Sequence, residues 1–197
     1  MTAYSQQDTV REAAAGTFTG LVNANGSMSW QGIPYAQPPV GALRWKAPRT
    51  LPPGEQAYQA TSFAGICPQL GTPLLEIDPS LYGKPVGTED CLYLNIWAPG
   101  PGRVVGEPLP VMVWIHGGSN VGGSGNDYDG GPLAVQQEVI VVTINYRLGV
   151  LGWFSHPALR EAAESEIDQS SNFGLLDIIQ ALKWVQANIA GFGGDPG

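Results

Sequence analysis

In Val111-Met112-Val113-Trp114-Ile115-His116-Gly117-Gly118, five apolar residues run directly into a His-Gly-Gly turn, and this segment is the strongest indication of the fold. A near-continuous apolar run of this length predicts a strand that is buried on both faces of a helix-covered sheet. A second such run extends from Val139 to Ile144, and Gly131 to Gln137 between the two runs can form a short helix. A helix between two such strands is typical of the crossover of a parallel pair. The sequence therefore predicts an α/β fold.

Upstream of this stretch, the sequence predicts an opening β-hairpin and one further central strand. The hairpin would pair Thr17–Val22 with Ser27–Ile33, because an Asn-Gly pair at Asn25 separates these two runs. The further strand is predicted at Leu92–Trp97. The segment Pro34–Pro85 is rich in Pro and Gly, which indicates a long irregular surface segment of the kind that often walls a site.

Downstream, an amphipathic helix is predicted over Phe173–Ile189, because apolar residues recur there at steps of three and four. These residues are Leu175, Leu176, Ile179, Leu182, Val185 and Ile189. A strand, a crossover helix, a second strand and a helix form only the opening of an α/β fold, whose central strands are buried once further elements pack on them. We therefore expect residues 1–197 to be part of a larger domain and to leave a hydrophobic sheet edge open.

Composition and charge exclude several classes of protein. The chain of 197 residues is 43% hydrophobic and 13% charged, as in packed globular proteins. Its net charge of −8 repels phosphate backbones, so we expect no nucleic-acid partner. No apolar stretch approaches the roughly 20 residues of a membrane span. The polar start, Met1 to Val10, lacks the features of a signal peptide and weakly favours a cytoplasmic location.

The residues that could bind a cofactor are too few. Two His and two Cys, widely separated, do not supply a zinc site of the usual spacing. The glycines form no complete Walker or dinucleotide-binding fingerprint. We therefore expect neither a metal nor an organic cofactor.

Five short blocks, taken together and in this order, resemble the type-B carboxylesterases, the family that includes cholinesterases and bacterial para-nitrobenzyl esterases. The blocks are Gly32-Ile33-Pro34-Tyr35-Ala36 with Pro38-Pro39-Val40-Gly41, Glu89-Asp90-Cys91-Leu92-Tyr93-Leu94-Asn95-Ile96, the His-Gly-Gly turn, Asn145-Tyr146-Arg147-Leu148-Gly149, and Asn172-Phe173-Gly174-Leu175-Leu176-Asp177. The resemblance extends from about Gly16 to the end of the chain. It implies an α/β-hydrolase fold, of which residues 1–197 would be the amino-terminal portion of a single domain, with the opening hairpin, the first central strands and the crossover helices.

The turn after the apolar run would be an oxyanion hole. Ester cleavage passes through a tetrahedral intermediate whose oxygen becomes negative, and preorganised backbone N–H groups stabilise that charge. The resemblance assigns the donors to Gly118 and Ser119, with Gly117 setting the turn. Outside the family context, a tight strand-to-loop turn is the alternative interpretation.

This chain departs from the family pattern at two positions of the turn. Ser119 stands where the family usually has Gly or Ala, and Asn120 stands where it usually has an aromatic residue. Ser119 keeps its N–H, whereas Asn120 would make the wall of the substrate pocket more polar. The resemblance places Asn120 and Tyr128 in that pocket.

The sequence contains no Gly-x-Ser-x-Gly nucleophile elbow; Gly122–Asn126 comes near and fails at its last position. In the family, the stretch Phe192–Pro196 comes shortly before the strand that leads into the elbow. We therefore expect the chain to end before the catalytic serine and to be inactive alone. Neither histidine completes a triad: His116 belongs to the turn, and His156 matches no catalytic position and is predicted at a loop or helix start.

The resemblance also implies structural pairs. Cys67 and Cys91 match a disulfide that closes a loop near the active-site mouth in many relatives, and a bond across about 25 residues would stabilise the fold by roughly 3 kcal/mol. A disulfide favours an oxidising compartment, so secretion is an alternative to the cytoplasm. In the loop between the two cysteines, Tyr82 is the only aromatic residue, which argues against a quaternary-ammonium substrate.

Two ion pairs, Arg44 with Glu89 and Arg147 with Asp177, would be structural. Solvated surface charges are the alternative interpretation of these four residues.

The sequence thus predicts a carboxylic ester hydrolase that acts on a small-molecule ester through a serine acyl-enzyme and needs the remainder of the hydrolase domain. In this interpretation, the chain supplies the oxyanion hole and part of the substrate pocket. The alternative is a noncatalytic cholinesterase-like adhesion or binding protein.

Overall fold

The computed structural model describes residues 5–52, 56–101 and 107–197. The strands of these residues are β1 (Arg11–Ala13), β2 (Gly16–Thr19), β3 (Leu21–Val22), β4 (Met28–Pro34), β5 (Ala57–Gln59), β6 (Gln69–Leu70), β7 (Pro85–Val86), β8 (Tyr93–Ala98), β9 (Val111–Ile115) and β10 (Ile140–Ile144). The α-helices are α1 (Gly131–Gln137), α2 (Gly149–Gly152), α3 (Pro157–Glu161) and α4 (Phe173–Asn188). Residues 1–4 of the polar start and residues 53–55 of the predicted irregular segment lie outside the described residues.

Across the part of the chain that the structure describes, the central sheet has five strands in the order β3-β4-β8-β10-β9. β10 is parallel to β9, with Ile144 opposite Ile115, and antiparallel to β8. β3, β4 and β8 pair antiparallel in sequence order, which confirms the opening hairpin. α1 connects β9 to β10, so the predicted parallel pair with a helical crossover is also confirmed.

Helices cover both faces of this sheet. Ile140, Val142 and Ile144 of β10 belong to one large core together with Trp184 and Val185 of α4. On the other face, Val141 and Trp97 form a smaller cluster with Ala134 of α1. The fold is therefore a mixed sheet between helices, as the α/β prediction requires. Within the described residues, no helix combines the length and the apolar character needed to cross a bilayer.

The strand β9 corrects one expectation. Both β9 and β10 were predicted to be buried on both faces, and β10 is buried along its whole length. In β9, however, Met112 is 50% exposed, Trp114 47% and Ile115 43%. The physical reason is position, because β9 has a neighbouring strand on only one side among the described residues. The open hydrophobic edge expected from the sequence is thus found at β9.

The predicted first hairpin strand is divided in two. β2 lies in a separate sheet of order β1-β2-β5, whereas β3 pairs with β4 in the central sheet. The division falls at Gly20, where the backbones approach so closely that a Cβ would lie 2.2 Å from the Ser29 carbonyl oxygen. Local sequence patterns did not predict β1, β5, β6 or β7, of which β5 and β6 lie inside the segment predicted to be irregular and β7 at its end.

The prediction of helix α4 was right in extent and right in part about its buried face. Val185 and Ile189 of the predicted apolar stripe are buried, whereas Leu175, Ile179 and Leu182 are exposed. The helix also buries Phe173, Gly174, Asp177, Ala181, Trp184 and Asn188. Asp177 is buried there in an ion pair with Arg147, described below.

Candidate functional site

The turn that follows β9 has an unusual backbone. Gly118 has a φ of 112°, Ser119 a φ of 55° and Asn120 a φ of 61°. Two consecutive non-glycine residues in the left-handed region are uncommon. The curl is closed by hydrogen bonds from the N–H groups of Val121 and Gly122 to the Gly118 carbonyl oxygen, at 3.0 and 3.2 Å.

This turn presents a row of unused donors. Within the described residues, the N–H groups of Gly117, Gly118, Ser119 and Asn120 donate no hydrogen bond, and all four residues are exposed. Backbone N–H groups are obligatory donors that ordinarily find a partner. The carboxyl end of β9 therefore offers several N–H groups to an acceptor from outside the turn. We call residues 117–120 the donor turn.

His116 anchors the donor turn in the core. Its ring is buried and stacks on Tyr146 with the ring centroids 4.4 Å apart. Its Nδ1 lies 2.9 Å from the Gly117 carbonyl oxygen, and because a carbonyl only accepts, we assign the ring proton to Nδ1. Nε2 has no partner among the described residues. Burial lowers the pKa of His116, so the ring is neutral at pH 7.

The loop after β10 holds the donor turn from the side. The Tyr146 hydroxyl donates to the His116 carbonyl oxygen at 2.7 Å, and the Gly149 N–H donates to the Asn120 carbonyl oxygen at 2.7 Å. Asn145 Oδ1 accepts from the Gly125 N–H at 2.8 Å. Sequence reasoning did not assign these positioning roles to Asn145 and Tyr146, although both lie in one of the family blocks. Their roles depend on partners that only the fold brings near.

Arg147 and Asp177 form a buried, bidentate ion pair. Nε lies 2.8 Å from Oδ2 and Nη2 lies 2.7 Å from Oδ1, and the Arg147 N–H also donates to Oδ2. The two side chains are 3% and 0% exposed. Arg147 Nη1 donates to the Lys46 carbonyl oxygen at 2.9 Å. The pair therefore joins the loop after β10 to α4.

Arg44 and Glu89 also lie together, but near the surface. Arg44 Nε lies 2.6 Å from Glu89 Oε2, and the two side chains are 43% and 25% exposed. The structure thus forms both predicted ion pairs, of which the Arg147–Asp177 pair is buried and the Arg44–Glu89 pair is partly exposed.

Cys67 and Cys91 are joined by a disulfide, with their Cα atoms 5.0 Å apart. Both residues are buried, whereas Tyr82 in the loop between them is partly exposed. His156 caps the start of α3, where its Nδ1 accepts from the Ala158 N–H, as predicted for a helix-start residue.

The two predicted pocket residues are placed differently. Asn120 lies in the donor turn, and its carbonyl oxygen is occupied by Gly149. Tyr128 packs its ring on Trp114 at a centroid distance of 5.2 Å, beside the open edge of β9. A cavity of about 280 Å³ lies here and is lined by residues that include Met112 and Leu133.

Comparison with known proteins shows which family this chain belongs to. The model of the carboxylesterase family matches residues 7–197. The chain belongs to the carboxylesterase family. It is similar to the para-nitrobenzyl esterase of Bacillus subtilis (strain 168), with 49% identity over 174 residues that cover 87% of this chain and 33% of that protein. It is also similar to the fumonisin B1 esterase of Sphingopyxis macrogoltabida, with 48% identity over 168 residues that cover 84% and 29%.

Solved structures of the carboxylesterase family agree with this assignment. A thermophilic PNB esterase matches with a TM-score of 0.80 and 43% identity, over 96% of this chain and 37% of that one. The family resemblance and the α/β-hydrolase fold predicted from the sequence are thus confirmed. The chain spans about a third of the length of these relatives.

Proposed function

We propose that this chain supplies the oxyanion hole and part of the substrate pocket of a carboxylic ester hydrolase that works through a serine acyl-enzyme. The observation that carries the proposal is the donor turn, a run of backbone N–H groups that donate to no described residue, at the carboxyl end of the parallel strand β9 in a carboxylesterase-family chain. The acceptor would be the carbonyl oxygen of a small-molecule ester.

The donors would act mainly in the transition state. As the nucleophile adds to the ester carbonyl, its oxygen gains negative charge, and the N–H groups of Gly118 and Ser119 would donate to it. Donors fixed before the reaction need no reorganisation when the charge forms, which is why one such donor is worth about 10²–10³ in kcat. The contacts from Tyr146 and Gly149 supply this rigidity.

The nucleophile would come from residues beyond this sequence, because these 197 residues contain no nucleophile elbow. Ser119 is unsuited to that role, since its side chain lies on an exposed turn without the strand-to-helix elbow that activates a serine. The histidine and the acid would likewise belong to the remainder of the hydrolase domain. Neutral, buried His116 would keep its structural place in the turn.

Asn120 and Tyr128 would line the substrate side. Asn120 occupies the last position of the donor turn, and Tyr128 stands beside the open edge of β9 with 40% of its surface exposed. Both side chains carry polar groups, which would favour esters with a polar acyl or alcohol portion near the turn.

The test uses the hydrolase that carries this chain together with its remaining domain. The peptide N–H of Ser119 is replaced by an ester oxygen through an α-hydroxy analogue of serine, and hydrolysis of para-nitrophenyl butyrate is measured. Loss of one donor should lower kcat about 10²–10³-fold with little change in KM. Ser119→Gly is the matched control, because it keeps the N–H and suits a positive φ.

Two results would contradict the proposal. An unchanged kcat in the analogue would show that this N–H does not meet the oxyanion. A folded wild-type protein that binds esters but does not turn them over, and that does not react with a serine-directed phosphonate, would favour the noncatalytic binding protein.

A further inference from the structure

The buried side chain of Gln69 makes a double hydrogen bond to a single residue, Gly123. Gln69 Oε1 accepts from the Gly123 N–H at 2.7 Å, and Gln69 Nε2 donates to the Gly123 carbonyl oxygen at 2.9 Å. Nε2 also donates to the Cys67 carbonyl oxygen at 3.1 Å. The side-chain amide therefore binds Gly123 as a neighbouring strand would, with both of its polar atoms satisfied.

Gly123 in turn lies directly against the donor turn. A Cβ on Gly123 would stand 2.5 Å from both the Gly117 carbonyl oxygen and His116 Nδ1. Such short distances leave no room for a side chain at position 123, so the Gly123 backbone packs directly on His116 and Gly117. The position of the Gly123 backbone therefore sets one boundary of the position of Gly117.

Gln69 also has a fixed backbone. It belongs to β6, which pairs with β7 inside the loop closed by Cys67 and Cys91. A path of direct contacts thus leads from this loop through the Gln69 amide and Gly123 to the donor turn. Gly149 and Tyr146 hold the turn from its other side.

We propose that Gln69 is a positioning residue through which the Cys67–Cys91 loop sets the direction of the N–H groups of Gly118 and Ser119. The catalytic part of this proposal rests on the proposed function, whereas the control of the turn does not. Gln69 touches no reacting atom and acts through Gly123 alone.

The first test measures amide hydrogen exchange at single residues in wild-type protein and in Gln69→Leu. The Gly123 N–H should exchange at least about 10-fold faster in the variant, because its acceptor is gone. The N–H groups of Val121 and Gly122, which close the donor turn on Gly118, should also exchange faster. The Ala134 N–H, bonded to the Gly130 carbonyl oxygen at the start of α1 and not to the donor turn, is the internal reference and should change little.

The second test uses Gln69→Glu and esterase kinetics. A protonated glutamic acid can accept from the Gly123 N–H and donate to its carbonyl oxygen, whereas an ionised one has no donor and repels two carbonyl oxygens. Relative to wild type, the variant should therefore lose kcat about 10- to 100-fold at high pH with KM within about twofold, and recover as pH falls through the carboxyl pKa. Gln37→Glu is the matched control, since the Gln37 amide donates only to the exposed Thr50 carbonyl oxygen.

The outcomes separate this proposal from the proposed function. Unchanged exchange at Gly123, or faster exchange there with Val121 and Gly122 unaffected, would overturn the positioning role whether or not the protein is an esterase. In an active esterase, a kcat of Gln69→Glu that stays at the wild-type value at every pH would overturn it as well. If Gln69→Leu does not fold, the exchange measurements on Gln69→Glu at low and high pH decide. Faster exchange in a protein without esterase activity would support the positioning role and contradict only the proposed function.

Discussion

The neighbouring parallel strands β9 and β10 are both short apolar runs, yet they have opposite roles. β10 is buried throughout, and the loop after it, Asn145–Gly149, directs its polar side chains inward to hydrogen-bond partners. Among the described residues, β9 lies at the sheet edge, and the donor turn after it is exposed, with four N–H groups that donate to none of these residues. We call residues 145–149 the framework loop, because their side chains hold neighbouring segments in place. The donor turn instead presents its N–H groups to solvent.

This difference explains how an exposed turn can be rigid. Residues in sparsely populated backbone conformations persist only when the surroundings determine them. The framework loop supplies that constraint, because Tyr146 and Gly149 each bond a carbonyl oxygen of the β9 turn region. The carbonyl groups are used for anchoring, and the N–H groups stay available.

Removing the ion pair of the framework loop should have the largest effect. Arg147→Ala leaves the carboxylate of Asp177 buried without its partner, so the free energy of unfolding should fall by about 3–5 kcal/mol. Urea unfolding followed by circular dichroism measures this change. Arg44→Ala, which breaks the exposed pair, is the control and should leave the midpoint nearly unchanged. Equal shifts in the two variants would contradict the assigned difference in burial.

The two strands themselves offer a matched comparison, because Ile144 of β10 and Ile115 of β9 are partners in register. Ile144 is fully buried and Ile115 is 43% exposed. In the 197-residue chain, Ile144→Ala should cost about 2–5 kcal/mol of unfolding free energy, and Ile115→Ala less than about 1 kcal/mol. If the two costs are equal, β9 is not an open edge in solution.

Asp168 lies next to a segment that the framework loop contacts. Its carboxylate accepts hydrogen bonds from Arg49 and from the Ala47 N–H. Arg147 of the framework loop donates to the carbonyl oxygen of the preceding residue, Lys46. Burial alone would raise the pKa of Asp168, but hydrogen bonds from Arg49, Ala47 and Ser165 together lower that pKa to about 2. A carboxyl whose pKa is lower in the folded state stabilises the protein above its unfolded pKa of about 4, and this contribution disappears as pH falls towards 2.

The stability difference between wild type and Asp168→Asn should therefore be on the order of 1–2 kcal/mol at pH 7 and should shrink towards pH 2. Denaturant unfolding at both pH values measures it. A difference that does not depend on pH would show that the carboxylate charge does not hold this part of the framework.

The smallest effect is expected in the donor turn. Ser119→Gly removes the cost of a side chain at positive φ and should raise the free energy of unfolding by about 0.5–1 kcal/mol. Ser170, an exposed serine with a φ of −64°, provides the control. Ser170→Gly should not raise the free energy of unfolding, because a serine adopts the negative φ of this position without strain. A thermal midpoint that rises in neither variant would indicate that the turn relaxes away from this conformation.

Much of the central fold followed from local patterns. The runs at Val111 and Val139, the Gly131–Gln137 helix and the Asn-Gly turn each predicted an element, because hydrophobic period and turn chemistry act over a few residues. The buried face of α4 followed only in part, since Leu175, Ile179 and Leu182 of the predicted stripe are exposed while Asp177 is buried. The apolar period does not include Asp177, and only the family resemblance implied its pairing with the distant Arg147.

The amino-acid sequence was enough to predict the α/β order of elements, the family and the position of the turn after β9, because each depends on short, contiguous motifs. The exposure of β9, the burial of β10, and the contacts of Gln69 with Gly123 and of Tyr146 with His116 emerge only in the folded chain. Those outcomes depend on which strands become neighbours and on contacts between residues far apart in the chain, 54 positions for Gln69 and Gly123 and 30 for Tyr146 and His116. Contacts of that kind form when the sheet assembles, so local sequence cannot specify them.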